Sequence, residues 1–230
     1  MLEVTGLAAG YGRVQVLWDV ALSVGRNQIV ALVGPNGAGK TSLLRALSGT
    51  IKPWAGAIRY HGRELSGLPV EQIVDLGISQ VPEGRRLFPG LTVRDNLLLG
   101  GWRNHNTDID QVVELFPRLG ERLSQVAGSM SGGEQQMCAI ARGLMGKPHL
   151  IMIDELSLGL APVVVDEILS RLPDIAAAGT AVLLVDQDVD SALSVAEYAY
   201  VLETGHVVID GMAGALLADS RIQEAFLGMS

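Results

Sequence analysis

An apolar run, Ile29–Val33, leads directly into the octapeptide Gly34-Pro35-Asn36-Gly37-Ala38-Gly39-Lys40-Thr41, and a helical pattern follows over Thr41–Leu47. The octapeptide fits the pattern G-x-x-x-x-G-K-[ST], in the strand-to-helix context that this pattern requires. Its glycines let successive backbone N–H groups face phosphate oxygens, and the helix N-terminus adds a favourable dipole. The Lys40 ammonium can reach the β- and γ-phosphates, and the Thr41 hydroxyl can hold Mg²⁺. The segment therefore predicts a nucleoside triphosphate site.

A second apolar run, Leu150–Ile153, ends in the acids Asp154 and Glu155. Asp154 at the strand tip could hold the hydration shell of Mg²⁺, and Glu155 could polarise an attacking water. Two solvated acids at a strand end are the alternative reading of this pair. Combined with the phosphate loop, the pair favours hydrolysis of a nucleoside triphosphate, with Mg²⁺ as cofactor.

The order of the other patterns indicates the fold class. From Leu150 onward, apolar strands alternate with helices, which is typical of a mainly parallel sheet covered on both faces. The chain starts with two strand patterns, and shorter ones follow before the helical stretch Thr92–Gly128. Near the end, two strand patterns joined at Thr204-Gly205 predict a hairpin. The predicted elements are strands Leu2–Leu7, Leu17–Val24, Ala57–Tyr60, Ile78–Val81, Ala181–Val185, Tyr198–Glu203 and His206–Asp210, and helices Glu134–Met145, Pro162–Ala178, Val189–Ala196 and Ala213–Leu227. The sequence predicts an α/β fold.

Composition excludes several classes of protein. A formal net charge of −8 disfavours nucleic acid as a partner. The lone cysteine, Cys138, excludes an internal disulfide framework. No uninterrupted apolar run approaches the roughly 18 residues that span a bilayer, and the N-terminus does not have the pattern of a signal peptide. We therefore expect a soluble, cytoplasmic protein.

A third motif, Ser131-Gly132-Gly133-Glu134-Gln135-Gln136, opens the helical pattern Glu134–Met145. Here the sequence resembles the ATP-binding cassette (ABC) family, in which glutamine is usual at the fourth place of the motif. The resemblance covers essentially the whole chain and implies a P-loop NTPase fold of ABC type with an N-terminal antiparallel β region. It implies a single domain, residues 1–230, with a RecA-like core at about 1–91 and 149–230 and a helical lobe at about 92–148. It also implies that two cassettes face each other, so that Ser131, Gly132, Gly133 and Glu134 contact ATP bound by the partner.

Other family positions transfer one by one, and the resemblance implies their roles. Tyr11 matches the aromatic residue that stacks on adenine, and Ser42 continues the ATP-binding loop. Glu83 stands where most members have a glutamine that touches Mg²⁺, and Gln187 stands where most have the catalytic switch histidine. A glutamine can still hydrogen-bond a γ-phosphate, but it cannot become cationic.

Two further departures from the family pattern follow Glu155. Leu156 replaces a usual proline, and Ala161 a usual aspartate. These departures bear on switching rather than on ATP binding. The four histidines fall in turns and polar stretches, and we expect them at the surface.

Four segments indicate a particular subfamily within the ABC family: Val81–Phe88, Met130–Met137, Ser157–Pro162 and Ala225–Gly228. They are similar to the second, shorter ATP-binding subunit of bacterial high-affinity branched-chain amino acid importers. The resemblance implies a second ATP-binding subunit, two permeases and, indirectly, a periplasmic solute-binding protein. It places the chain on the inner face of the bacterial cell membrane, with Arg85–Leu99 lining the groove for the permease's coupling helix.

Three alternatives remain at this stage. A small-molecule kinase would need an acceptor pocket and lid arginines, and would have no use for Ser131-Gly132-Gly133. A soluble cassette ATPase of DNA repair or ribosome work usually carries coiled-coil insertions, zinc modules or tandem cassettes. A cassette of an export, lipid, urea or amide transporter is the third alternative, because nothing in an ATPase subunit contacts the solute.

Overall fold

The computed structural model describes residues 1–219, whose strands form two sheets. The strands are β1 (Leu2–Tyr11), β2 (Val14–Val24), β3 (Ile29–Val33), β4 (Ala55–Tyr60), β5 (Arg63–Glu64), β6 (Ile78–Val81), β7 (Leu150–Asp154), β8 (Ala181–Asp186), β9 (Tyr198–Glu203) and β10 (His206–Met212). The helices are α1 (Lys40–Leu47), α2 (Val70–Asp75), α3 (Val93–Gly100), α4 (Asp110–Leu115), α5 (Pro117–Gly120), α6 (Gly132–Met145), α7 (Pro162–Leu169), α8 (Leu172–Ala177), α9 (Val189–Val195) and α10 (Ala213–Leu217), with a 3-10 turn at Ala127–Ser129.

The larger sheet has the strand order β10-β9-β3-β8-β7-β6. Strand β3 pairs in parallel with β8 and β9, and β7 pairs in parallel with β8 and β6. Every residue of β3, β7 and β8 is buried, which explains why their sequences are continuous apolar runs rather than alternating ones. The carboxyl ends of these three strands lie at one edge of the sheet, where open α/β sheets bind their ligands.

The smaller sheet is antiparallel, in the order β2-β1-β4-β5. Helix α1 packs between the two sheets: Leu43, Leu44 and Leu47 share one apolar cluster with Leu17 of β2 and Leu32 of β3. This packing fixes the position of the α1 N-terminus at the edge described above.

A second apolar layer covers the other face of the larger sheet. It joins Leu97 of α3, Phe116 between α4 and α5, and Ile140 of α6 to apolar residues of the sheet that include Val81 of β6 and Ile151 of β7. The helical residues 92–148 and the sheet therefore share one core, and the lobe boundaries stay a prediction.

The predicted parallel core and N-terminal antiparallel region are confirmed. The hairpin of β9 and β10 is also confirmed. Its turn residues Thr204 and Gly205 have φ of 45° and 84°, which is the geometry that two-residue hairpin turns favour. Strands β1 and β2 extend beyond their predicted ends, because register shifts between them break the alternation of apolar residues.

The single helix predicted over Pro162–Ala178 is wrong. The chain forms α7 and α8, with a break at Ser170 and Arg171. Pro173 lies in the first turn of α8, where a missing N–H is tolerated, whereas inside a continuous helix it would remove a hydrogen bond. The helix predicted over Ala213–Leu227 is present as α10 to Leu217, and residues 220–230, with the segment Ala225–Gly228, lie outside the described residues.

Candidate nucleotide site

The phosphate loop between β3 and α1 depends on glycine. Gly34, Gly37 and Gly39 have φ of 155°, 81° and 109°, a region that residues with a Cβ rarely adopt. A Cβ on Gly34 would lie 2.1 Å from the carbonyl oxygen of Leu202 in β9. Gly39 is the N-cap of α1 and offers no side chain to the helix N-terminus. The first N–H groups of α1 are therefore left for an anion.

Lys40 connects this loop to the end of β7. Its Nζ donates to the carbonyl oxygen of Gly34 at 2.7 Å and to that of Pro35 at 3.3 Å. The same Nζ lies 3.1 Å from Oε1 of Glu155. The lysine and the glutamate, predicted from two separate motifs, are therefore in direct contact.

A cleft of about 360 Å³ opens beside this ion pair. It is lined by Val16, Asn36, Gly37, Ala38, Gly39, Lys40, Thr41, Ser42, Glu83, Glu155, Leu158 and Gln187. The cleft thus brings together most of the predicted ATP-binding residues, both predicted catalytic residues, and Thr41 and Glu83 of the predicted metal site. Gly34 and Pro35 support the loop through their carbonyl groups instead.

Sequence reasoning missed two of the cleft residues, Val16 and Leu158. Val16 lies on β2, and Leu158, with 46% of its surface exposed, lies in the loop after β7. Neither belongs to a polar motif, and only the packing of the two sheets brings Val16 to the loop. No signal in the sequence marks Val16, whereas Leu158 could have been found as an apolar residue three positions after Glu155.

The carboxyl groups at the end of β7 are strongly affected by burial. The pKa of Asp154 is raised to about 6, first by burial and then by the charges of Glu155 and Glu83, while the hydrogen bond from Thr41 and the charge of Lys40 act against this rise. Burial also raises the pKa of Glu155, while Lys40 opposes this shift. Glu155 has a φ of 51°, so it holds a strained backbone conformation of the kind that concentrates at functional sites.

Mg²⁺ fits the groups at this end of β7. The Asp154 Oδ1 and Glu155 Oε2 atoms are buried without a hydrogen-bond partner among the described residues. Burial of such oxygens costs free energy unless a hydrogen-bond donor or a cation pairs with them. Within residues 1–219, no group of three or more His, Cys, Asp or Glu side chains could hold a metal. Mg²⁺ is usually bound through one or two carboxylates, waters and substrate phosphates, so Thr41, Asp154 and Glu83 remain a suitable set.

Tyr11 ends β1 and lies against α1. Its hydroxyl is 3.3 Å from Oγ of Ser42, and Arg45 donates to it at 2.9 Å. The Arg45 guanidinium also lies 5.8 Å from the ring centre. The ring is 39% exposed and lies beside, rather than among, the residues that line the cleft. Its stacking on adenine stays a prediction.

The motif Ser131–Glu134 lies away from this cleft at the start of α6. Ser131 is an exposed N-cap in a capping box with Glu134, whose Oε2 accepts from the Ser131 N–H and Oγ at 2.9 Å each. Arg122 pairs with the other oxygen of Glu134 at 2.8 Å. Gly133 lets α6 approach α7, since a Cβ there would lie 2.3 Å from Val164. Ser131 does not line the cleft that contains Lys40 of the same chain.

The loop with Glu83 is held by α6. Gly84, Arg85 and Arg86 have φ of 75°, 65° and 48°, three left-handed residues in a row. Arg142 of α6 donates to the carbonyl oxygens of Arg86 at 2.8 Å and Arg85 at 3.2 Å. Its guanidinium also lies 5.9 Å from the ring centre of Phe88. Sequence reasoning gave Arg142 no role, because nothing in a helical pattern marks which arginine faces a loop.

The two departures after Glu155 have different surroundings. Leu156 is 1% exposed and belongs to the apolar layer under the sheet. Ala161 is the exposed N-cap of α7 and offers that helix no side-chain cap.

All four histidines are exposed, as expected. Among residues 1–219, no helix is long and apolar enough to cross a membrane.

Comparisons with known proteins agree with this site. The family model described as ABC transporter matches residues 17–157. The chain is 47% identical over 232 residues to the high-affinity branched-chain amino acid transport ATP-binding protein BraG of Pseudomonas aeruginosa, with 99% of this chain and 100% of that protein covered. It is 34% identical to the probable branched-chain amino acid transport ATP-binding protein LivF of Archaeoglobus fulgidus, with 100% and 99% covered.

A solved ATP-binding cassette has a similar fold. It is a dimer in a post-hydrolysis state, bound to ADP and phosphate. Its TM-score to this chain is 0.78 at 23% identity, with 93% of this chain and 99% of that chain covered. The similarity shows that the two chains share a fold.

Proposed function

The chain belongs to the ABC transporter family and hydrolyses ATP, and from this premise we propose that it energises a bacterial importer of branched-chain amino acids. The observation that carries the solute class is the 47% identity to BraG along both whole chains. The similarity to LivF, also a branched-chain amino acid transport protein by name, supports the same class.

The chemistry of the cleft supports a division of roles. The N–H groups from Gly37 to Ser42 and the Lys40 ammonium bind the phosphates of ATP. Thr41, Asp154 and Glu83 would hold Mg²⁺, which would neutralise charge on the phosphate oxygens. Glu155 accepts a proton from the attacking water, a role that suits a carboxylate whose pKa burial has raised. Gln187 donates an amide hydrogen bond to the γ-phosphate, and Tyr11 packs on the adenine.

The site is completed by a second cassette in this proposal. Homologous ATPases work as dimers with transmembrane permease subunits. Ser131, Gly132, Gly133 and Glu134 lie outside the cleft of their own chain. They are therefore free to contact ATP that is bound to the second ATP-binding subunit, and that subunit's motif would in turn contact ATP on Lys40.

A groove of about 670 Å³ supports docking of a permease. Its lining includes Arg86, Phe88, Leu99, Arg103 and Arg142, with Phe88 52% and Leu99 42% exposed. Exposed apolar side chains rimmed by arginines suit an amphipathic helix of a partner. The chain would then lie on the inner face of the cell membrane, and a periplasmic solute-binding protein would be its partner only indirectly, through the permeases. The RecA-like core, residues 1–91 and 149–230, and the helical lobe, 92–148, would be its two parts.

Uptake in cells tests the proposal. A strain that lacks this gene is complemented with the wild-type gene or with Glu155→Gln, and initial uptake of labelled leucine, urea and acetamide is measured at low solute concentration. We expect wild-type alone to restore leucine uptake, with urea and acetamide uptake unaffected. Unchanged leucine uptake in the deleted strain, or loss of urea or acetamide uptake instead, would contradict the branched-chain assignment.

A further inference from the structure

Asp186, the last residue of β8, is a buried carboxylate whose oxygens accept hydrogen bonds from two loops. It is 2% exposed. Its Oδ1 accepts from Oγ of Ser157 at 2.7 Å and from the N–H groups of Gln187 at 2.8 Å and Asp188 at 3.1 Å. Its Oδ2 accepts from the Ser157 N–H at 3.0 Å. No role has been given to Asp186 so far.

These bonds join the two loops that supply the catalytic groups. Ser157 lies two residues after Glu155 in the loop that follows β7, and Gln187 follows Asp186 directly. Strands β7 and β8 are neighbours in register, with Asp154 opposite Val185, and the Glu155 N–H donates to the Val185 carbonyl at 2.8 Å. Glu155, Leu158 and Gln187 line the cleft, whereas Asp186 does not.

Burial and hydrogen bonding make the Asp186 carboxylate a stable connection between the two loops. A buried carboxylate is unfavourable unless its oxygens accept hydrogen bonds, and bonds to an ionised acceptor are stronger than neutral ones. Both oxygens of Asp186 are satisfied within the two loops. Glu155 beside it keeps a φ of 51°, a conformation that persists only when the surrounding structure holds it. The bonds from Ser157 to Asp186 restrain the chain just past that residue.

We propose that Asp186 is a positioning residue for ATP hydrolysis, which through Ser157 fixes Glu155 relative to Gln187. We call the two bonds between Ser157 and Asp186 the β7–β8 clamp. Asp186 itself does not line the nucleotide cleft. This inference rests on the ATPase activity of the family and is independent of the transported solute.

If the β7–β8 clamp had only a structural role, its loss would affect ATP binding and turnover in a different way. If the clamp only kept the loops folded, its loss would weaken ATP binding and turnover together, because Leu158 and Glu155 both line the binding cleft. If it positions Glu155 for attack, ATP still binds to Gly37–Ser42 and only turnover falls. Misplacement of a catalytic group by about 1 Å can cost about 10²-fold in rate.

The test compares variants of the full chain assembled with its permease and ATPase partners. Asp186→Asn and Ser157→Ala each remove clamp bonds, and Ser157→Thr keeps the hydroxyl. Asp188→Asn is the matched control, since among residues 1–219 the Asp188 side chain accepts hydrogen bonds only from Ser191. The readouts are kcat and KM for ATP, the affinity for a fluorescent ATP analogue, and thermal unfolding.

We expect kcat to fall about ten- to a hundredfold in Asp186→Asn and Ser157→Ala, with nucleotide affinity within about twofold of wild type. The double variant should be no slower than Asp186→Asn, because both changes weaken the same clamp and their effects are therefore not additive. Ser157→Thr and Asp188→Asn should keep the wild-type kcat. Additive losses, a parallel loss of affinity, or equal rates in Ser157→Ala and wild type would overturn the proposal. If Asp186→Asn does not fold, Ser157→Ala against Ser157→Thr decides the question.

Discussion

The ammonium of Lys40 lies 3.1 Å from Oε1 of Glu155, with 4% and 9% of the two side chains exposed. The group that would bind the β- and γ-phosphates is thus paired with the group that would activate the attacking water. In the proposed mechanism, arrival of the phosphates would give Lys40 a new anionic partner and would release Glu155 from the pair. Nucleotide binding and exposure of the general base would then be linked by one ion pair.

Glu155→Gln should slow hydrolysis by about 10²–10⁴, the usual contribution of a positioned base. Its affinity for ATP should equal or exceed that of wild type, because Lys40 keeps its charge and no longer pairs with a carboxylate. Single-turnover hydrolysis and equilibrium binding of ATP measure the two quantities separately. Glu114→Gln, a change of an exposed acid on α4 outside the cleft, is the control. Weaker binding in Glu155→Gln would show that Glu155 supports the loop or holds the metal instead.

Asp154→Asn should stabilise the protein when nucleotide and metal are removed by a chelator. The pKa of Asp154 is raised from its ordinary value of 3.8 to about 6 in the folded protein, so the folded state holds this proton more tightly than the unfolded state does. Stability from this group is therefore fully present below pH 4 and is lost as the pH rises through 6. Above pH 7, Asp154→Asn should exceed wild type by on the order of 2–3 kcal/mol.

Urea unfolding between about pH 3 and pH 8 measures this difference in the free energy of unfolding. The two proteins should converge towards about pH 3, below the ordinary pKa of an aspartate, where Asp154 is mostly neutral in both the folded and the unfolded state. Asp166→Asn, which changes an exposed carboxyl on α7, should follow wild type across the range. If the free energy of unfolding depended on pH in the same way in wild type and Asp154→Asn, Asp154 would not be a carboxyl group whose pKa is raised by folding.

Arg142→Met should make the chain more sensitive to trypsin after Arg85 and Arg86. Arg142 donates to the carbonyl groups of these two residues, which are also the bonds that trypsin attacks. Three left-handed residues in a row make the loop dependent on such support. Loss of two charge-assisted bonds should raise the cleavage rate about tenfold or more.

Mass spectrometry of early fragments identifies the cleaved bond. Arg94→Met on α3 is the matched control, because Arg94 is exposed and does not line the groove that contains Arg86, Phe88 and Arg142. Cleavage after Arg85 or Arg86 at the wild-type rate in Arg142→Met would show that the loop is held by other contacts.

The phosphate loop and the acidic strand end could be predicted from sequence because each is a short, continuous motif with one chemical purpose. Their contact through Lys40 and Glu155 could be expected, since both follow strands of one parallel sheet. Val16, Arg142 and Asp186 could not be found in this way. Each acts through a contact between segments far apart in the chain, and each is of a residue type that also occurs on ordinary strands, helices and loops.

The split between α7 and α8 was missed for another reason. Apolar residues continue at helical spacing through Ser170 and Arg171, and periodicity alone does not register that Pro173 must begin a new helix. The start of α6, in contrast, could be predicted from a local motif, and the structure shows that Ser131 and Glu134 of this motif form a capping box there.

The central claim is that each ATP is hydrolysed in a site shared by two subunits, with Lys40 from one chain and the signature serine from the other. Lys40→Ala alone should weaken ATP binding about 10- to 100-fold, because a charge-assisted bond to phosphate is lost.

Two double variants of the assembled complex distinguish ATP sites that are shared between subunits from sites that are not. One combines Lys40→Ala with an arginine in place of the partner subunit's signature serine, and the other combines Lys40→Ala with Ser131→Arg in this chain.

The deciding measurement is steady-state ATP turnover of the two complexes, with both single variants and thermal unfolding as controls for assembly. In a shared arrangement, the first pair damages one composite site and leaves the other whole, so turnover should match the worse single variant. The second pair damages both sites, and turnover should fall far below either single variant. Equal turnover in the two double variants would contradict the shared site, and with it the assignment of Ser131 to the partner's ATP.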